Sequence, residues 1–275
     1  MKINVIEYYD NYTLESFFNS FKVRKQLINN LIQNKKILIN NEIINNLQFK
    51  IYKNDILTID FDIISISKKI DMKLDIIYED DFIIVVNKKA HILIHSDGNN
   101  EITLTDIVQS YMYNKSNNAY AYPVHRLDYD TTGIVIFAKN PLSLASLSVD
   151  IENHKLIKNY VCLCYNKFDK KSGIINKPIG KNRHNNLQVI SKTGKEAITN
   201  YNVISNGDIS KVNIYIEHGR KHQIRLHLSS INHPILGDKL YGKEDGNDLK
   251  LHFKKVKFIH PYTKEEIEII CEEVF

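Results

Sequence analysis

The chain has 275 residues, 43% apolar and 25% charged, with 37 Lys and Arg against 32 Asp and Glu for a formal net charge of +5. That length suits one large domain or two unequal ones, and that balance excludes wholesale disorder. No apolar run approaches the roughly 18 residues of a membrane-spanning helix, and three cysteines, Cys162, Cys164 and Cys271, are too few for a disulfide framework.

In chain order, Met1 to Asp10 carries acids and no apolar stretch of the secretory kind, so no leader peptide is expected. With the sparse cysteines, this predicts a cytoplasmic protein. Leu14, Phe17, Phe18 and Phe21, and then Leu27, Leu31 and Ile32, recur at helical spacing and predict two helices. Residues 36–39, 49–52 and 56–59 read as short strands, with Asn40-Asn41 as a turn after the first. These elements form a small unit over residues 1–67, and the charged stretch 68–73 reads as a linker.

A second unit covers residues 68–275. Its apolar runs 82–86 and 134–138 predict buried strands. Asn140-Pro141 predicts a helix start, with Asn as cap and Pro in the first turn. Leu142, Leu144 or Ala145, and Val149 would form its apolar face. Val212, Ile214 and Ile216 alternate with Asn213, Tyr215 and Glu217, the mark of a half-buried strand. Residues 222–230 read as a helix with Ile224, Leu228 and Ile231 on its apolar side. Strands outnumber helices at irregular spacing. The expected fold is α+β: a mixed, mainly antiparallel sheet flanked by helices around a central cleft, plus the small N-terminal α/β unit.

Three polar stretches lie against predicted strands: His125 to Gly133 (HRLDYDTTG), Lys158-Asn159-Tyr160, and Gly219 to His227 (GRKHQIRLH). A carboxylate in a loop tied to a strand is held rigidly, as catalysis requires. Singly, each has a bland reading, Asp128 as a turn residue and Tyr160 as core. His218, His222, His227 and His233 lack the His-Glu-x-x-His spacing, and Cys162-x-Cys164 lacks a second pair, so no metal is predicted. Residues 170–195 carry seven basic side chains and no acid. Such a stretch suits either a phosphate backbone or a solvated loop. The general abundance of Asn, Ile and Lys reads as genomic base composition, which weakens any count of lysines.

Together the three stretches resemble the Rlu-type RNA pseudouridine synthases, in which His-Arg-Leu-Asp-x-x-Thr-(Ser/Thr)-Gly is the catalytic motif. Ile77 to Lys88 resembles the family's opening strand, Gly194 to Thr199 its Gly-Lys-x-Ala-x-Thr element, and His233 to Gly242 its long C-terminal signature. Leu251-His252 and His260-Pro261 resemble its closing strands, so the similarity runs in order from about residue 74 to 275. Two departures stand out. Lys88-Lys89-Ala90-His91 replaces Lys-Pro-x-Gly, which is expected to alter that loop, and Thr132 replaces the commoner Ser. The first unit resembles the RNA-binding domain of ribosomal protein S-four type, with Arg24-Lys25 on a helix. Leu38-Ile39-Asn40-Asn41 stands for its Val-x-Val-Asn-Gly hairpin and Asn54-Asp55-Ile56 for its Gly-Asp-x-Ile, Asn replacing Gly twice.

The resemblance implies isomerisation of uridine in RNA to pseudouridine: the base leaves the sugar, rotates and rejoins through carbon 5. No cofactor is needed. The family's essential aspartate maps onto Asp128, acting covalently or as a base. Tyr160 would stack on the uracil, and Arg225 would pair with Asp128, because burial disfavours a lone carboxylate charge. Extruding a base from its stack costs a few kcal/mol. Arg126 would fill the vacated space or contact a phosphate. His125, Lys181, Arg183, Lys195 and Arg220, with Arg24 and Lys25, are the further candidate RNA contacts. The expected partner is ribosomal RNA of the large subunit, with transfer RNA as the alternative, and the expected state is a monomer. Two other classes remain open: a ribosome-assembly factor without catalysis, and a hydrolase using Asp128. The latter would release free uracil and need a second placed carboxylate.

Overall fold

The computed structural model describes the chain apart from residues 63, 64, 67, 68, 100, 117, 183, 184 and 186. The first unit begins with β1 (Lys2–Asn4) and a 3-10 turn (Glu7–Tyr9). Then come β2 (Tyr12–Thr13), α1 (Leu14–Ser20), α2 (Lys25–Gln33), β3 (Ile37–Ile39), β4 (Glu42–Ile43), β5 (Lys50–Ile51) and β6 (Ile56–Ile59). Thr13 starts α1 by accepting the Ser16 amide at 3.1 Å, which satisfies one orphan donor of the first turn. Leu14, Phe17, Phe18 and Phe21 are wholly buried, as their spacing predicts. Four strands make an antiparallel sheet in the order β1-β6-β3-β4. Asn40 and Asn41 turn β3 into β4 with φ of 50° and 72°, the left-handed pair that a two-residue hairpin requires. Asn54 likewise has φ 70°. Asn is among the few side chains that tolerate this region, which is why it can stand where Gly is usual.

The second unit runs through β7 (Ile76–Glu79), β8 (Ile83–Lys88), α3 (Leu104–Ser116), β9 (Tyr122–Pro123), β10 (Thr132–Ala138) and α4 (Pro141–Glu152). It continues with β11 (Ile157–Tyr165), β12 (Ser172–Asn176), β13 (Ile179–Lys181), β14 (Gln188–Ile190), β15 (Ile198–Ser205) and β16 (Ile209–Ile216), and closes with α5 (Gln223–Ser229), β17 (Leu251–Ile259) and β18 (Glu266–Ile270). A ten-stranded sheet has the path β12-β15-β16-β11-β17-β10-β8-β7, with β18 paired to β17 and β9 to β10. Among the described residues only the β10–β17 pairing is parallel, so the sheet is mixed and mainly antiparallel, as expected.

Two details depart from the sequence reading. Helix α3 is absent from the sequence reading, although Leu104, Ile107, Val108 and Met112 recur at helical spacing; buried with them is Ser110. That hydroxyl exchanges hydrogen bonds with the backbone of Ile70, accepting at 2.8 Å and donating at 3.0 Å. Helix α4 begins as predicted, Asn140 accepting the Ser143 amide at 2.9 Å. Its buried face, however, is Leu142, Ser143, Ser146, Leu147 and Asp150, and Leu144, Ala145 and Val149 are only half-buried. Two of its polar members find partners there: Ser143 Oγ donates to Asn140 at 3.1 Å, and Asp150 pairs with Lys22 at 2.5 Å.

That pair is one of several contacts between the two units. The rings of Tyr9 and Phe82 both stack on Tyr262, with centroids 5.3 and 4.4 Å away. The Tyr9 hydroxyl donates to the Tyr262 carbonyl at 2.8 Å. Tyr262 Oη returns a hydrogen bond to the Asn4 carbonyl. The apolar core is continuous across both units.

Candidate active site

The loop 124–131 enters β10 at Thr132, and its path is fixed at both ends. Gly133 has φ 110° and pairs with Phe253 of β17. A Cβ there would sit 2.4 Å from the Phe253 carbonyl oxygen, so only Gly lets the strands meet. Lys88, at the end of β8, is wholly buried. Its ammonium donates to the carbonyls of Lys89, Tyr129 and Thr131 at 3.0, 2.9 and 2.7 Å. Burial lowers its pKa to about 8, partly opposed by the charges of Asp130 and Asp128. Behind the loop, His252 Nε2 meets the Cys271 carbonyl at 2.9 Å. A carbonyl only accepts, so Nε2 carries the proton. Burial holds the ring neutral, and Nδ1 therefore accepts from Thr132 Oγ1 at 2.8 Å.

The loop 88–91 lacks the family's Pro and Gly, and His91 stands at the Gly position. His91 adopts φ 61° itself, a strained choice for a side chain. The ring is held by Asp248 at 3.0 Å and Asp130 at 3.3 Å, and its amide donates to the Tyr129 carbonyl at 3.0 Å.

Asp128, Tyr160 and Arg225, three stretches apart in sequence, line one pocket together with Arg126, Thr131 and His222. The expected Asp128–Arg225 ion pair is present but long, and it is the weaker of two. Arg225 Nη1 stands 3.9 Å from Asp128. Its Nε and Nη2 form a bidentate pair with Asp238 at 2.9 and 2.7 Å. Arg225 is 3% exposed and Asp238 wholly buried; a guanidinium that deep needs a fully engaged carboxylate. Burial works against the Arg225 charge, but Asp238, ahead of Asp128, outweighs it and raises the pKa. Asp238 is itself fixed by accepting the amides of Leu240 and Tyr241 at 3.0 and 3.1 Å. Arg225 thus offers Asp128 one nitrogen from a rigid mount.

Tyr160 stacks flat on Phe253, centroids 4.4 Å apart and planes at 10°. One ring face is therefore already taken, which leaves the rest of the ring to the pocket. Burial and the Asp128 charge push its hydroxyl pKa up. His222 caps α5 in the left-handed region at φ 56°. Its Nε2 stands 3.9 Å from Asp128 and its Nδ1 meets the Tyr241 hydroxyl at 2.9 Å. Tyr241 Oη accepts the Gln188 amide at 2.9 Å, so the β13–β14 hairpin is tied to the pocket wall.

Residues 82–230 match the family model described as RNA pseudouridylate synthase. The chain belongs to this family. It is 34% identical over 258 residues to the Bacillus subtilis protein named uncharacterized RNA pseudouridine synthase YhcT, covering 90% of this chain and 85% of that one. It is 32% identical over 250 residues to ribosomal large subunit pseudouridine synthase D of Buchnera aphidicola, covering 88% and 77%. Its fold is similar to that of human RNA Pseudouridylate Synthase Domain Containing 1, with a TM-score of 0.62 at 23% identity over 73% of this chain and 84% of that chain. The chain is thus an RNA pseudouridine synthase.

The other candidate residues of the synthase fall into groups. Arg126 is exposed and lines the pocket. His125 turns inward: its Nε2 accepts the Ile136 amide at 3.2 Å. Burial, with help from Lys158, lowers its pKa to about 3, so the ring serves as a neutral acceptor. Arg220 Nε donates to the Glu196 carbonyl at 2.9 Å, leaving only its terminal nitrogens free of that bond. Lys181 ends β13 and Lys195 follows β14, both exposed. Arg183 lies outside the described residues. Arg24 and Lys25 are exposed at the start of α2 and do not line the pocket. Ile224 and Leu226 are buried beside Arg225, as packing residues should be. Asp238 and Tyr241 escape the sequence reading of single roles. The available signal was indirect: an Arg on an apolar helix face demands a carboxylate, and Asp238 is the acid of the C-terminal signature.

Proposed function

We propose that the synthase acts on ribosomal RNA of the large subunit and that Asp128 is the reacting carboxylate. The observation that carries this reading is the convergence of Asp128, Tyr160 and Arg225 on one pocket. In the reaction the N1–C1′ bond breaks, C5–C1′ forms, C5 loses a proton and N1 gains one. A carboxylate at the rim of a rigid loop suits either attack on the sugar or proton removal. Arg225 stabilises its charge, and Tyr160 keeps the detached base in place while it turns. Residues 1–67 form a separate RNA-binding domain of the S-four type, with Arg24 and Lys25 contacting phosphates. The left-handed Asn41 and Asn54, at the two positions where that domain has Gly, support this assignment. The relatives named for the large subunit support the choice of RNA.

The test is pseudouridine mapping of large-subunit ribosomal RNA and transfer RNA incubated with the protein, beside Asp128→Asn. Sites in ribosomal RNA that vanish in the variant are expected, a loss of at least ~1,000-fold. Sites that persist in Asp128→Asn would overturn the role of Asp128. Sites confined to transfer RNA would overturn the substrate.

A further inference from the structure

A second cavity, of about 330 Å³, adjoins the pocket of Asp128. Ile216 lines both. The cavity sits where β11 begins and β16 ends, Lys158 standing opposite Ile216. Its walls include His154, Lys158, Tyr215, Glu217 and His218.

Two of these groups want partners. His218 is 8% exposed, and its Nδ1 is buried without a hydrogen bond among the described residues. An orphaned buried nitrogen costs free energy until something fills it. Its Nε2 faces the Glu196 carboxylate at 3.7 Å. The Glu196 charge favours the tautomer with the proton on Nε2, which leaves Nδ1 a bare lone pair. Lys158 is half-buried. Burial lowers its pKa, and no carboxylate among the described residues offsets the effect. Its Nζ lies by Gly219, 3.9 Å from where a Cβ would stand, and Gly219 lines the Asp128 pocket. The ammonium is thus at the junction of the two cavities.

An unpaired ammonium calls for an anion, and a bare imidazole nitrogen calls for a hydroxyl. A ribonucleotide supplies both. Tyr215, 39% exposed, adds an aromatic wall of the kind on which bases stack. Glu196 and Glu217 lie on the His218 side and would repel a phosphate there, which assigns the anion to Lys158. We infer that this cavity is a second ribonucleotide subsite, beside the one that holds the target uridine. Lys158 holds a phosphate of the strand, and His218 Nδ1 accepts a hydrogen bond from a ribose 2′-hydroxyl. The subsite rests on the RNA pseudouridine synthase reading and deepens it. It grips the chain rather than reading the base, and it distinguishes RNA from DNA.

The test is binding of a short oligouridylate and its 2′-deoxy copy to the full-length protein across a salt titration. Lys158→Met is expected to weaken both about tenfold and to lower the salt slope by ~0.7, one phosphate of a single strand. Lys158→Arg should keep most of the affinity, which separates a lost charge from a lost fold. His218→Ala should weaken the oligouridylate about threefold and leave the 2′-deoxy copy unchanged. Wild-type affinity in Lys158→Met, or equal losses on both probes in His218→Ala, would overturn the subsite. So would a wild-type protein that binds the two probes alike. Pseudouridine formation on ribosomal RNA is read separately. Its absence, with the Lys158 effect intact, would overturn the choice of substrate and leave the subsite standing.

Discussion

The N-terminal unit and the Asp128 pocket are buried to a similar depth but by opposite means. In the first, Tyr9, Leu14, Phe17, Phe18 and Phe21 are wholly buried, and its basic residues Arg24 and Lys25 are exposed. In the second, the deep positions are polar: Lys88 and Asp238 are wholly buried and Arg225 nearly so. Apolar burial tolerates loose geometry, because dispersion and solvent exclusion have no direction. Buried charge tolerates none, because every lone pair must be met. The pocket is therefore the more rigid of the two and the more easily destroyed by one substitution. The N-terminal unit is the more forgiving.

The sharpest way to break this contrast is Asp238→Asn. It leaves the Arg225 guanidinium buried with half a partner, and a loss of about 3–5 kcal/mol is expected. Urea unfolding measures it, and pseudouridine formation should fall with it. A loss below about 1 kcal/mol would show that the pocket is not held by its charges. The corresponding test in the aromatic junction is Tyr9→Phe. The hydrogen bond to the Tyr262 carbonyl is removed, with the neighbouring Ser20 contact, and the ring stack stays. A loss of about 1–2 kcal/mol is expected, with modification of RNA unchanged.

The smallest effect sharpens the comparison through pH. Glu79 on β7 is pushed up by burial, but Lys115, Lys139 and Tyr111 outweigh this and bring its pKa to about 2, from an ordinary 4.5. A carboxyl whose folded pKa is depressed stabilises the fold above its unfolded pKa and loses that contribution as pH falls through the folded one. Glu79→Gln should therefore cost about 1 kcal/mol at pH 7. In melts at successive pH values, the gap from the wild type should close between pH 4.5 and 2. A gap that stays constant to pH 2 would mean that the ion pairs contribute nothing.

The same contrast explains what could be read from the sequence. Helices α1 and α2, strand β6 and the Asn140 cap were legible because periodicity and caps are local. The order of the ten-stranded sheet was not, since the parallel β10–β17 contact joins residues 132–133 to 252–253. At the site, Asp128, Tyr160 and Arg225 were singled out through motifs, and the structure places all three in one pocket. The Asp128–Arg225 pair was anticipated, but the stronger Arg225–Asp238 pair was not. The Arg225–Asp238 pair spans a loop, and nothing in the spacing of 13 residues announces it. At the Gly position of its loop His91 itself takes the left-handed backbone, its amide bonded to Tyr129 and its ring held by Asp130 and Asp248.

The stack of Tyr9 on Tyr262 also bears on how the chain is made. Domains tend to fold as they emerge, N-terminal part first. Here the hydrogen bond that completes the first unit waits for a partner 253 residues later. Until that partner arrives, Tyr9 has an uncovered face and a free hydroxyl. The first unit can gather its phenylalanine core early, but its contacts with Tyr262 form only after the 253 residues beyond Tyr9 are made. A chain truncated before residue 262 would carry a complete Asp128 pocket sequence and still lack the Tyr262 side of its N-terminal contact.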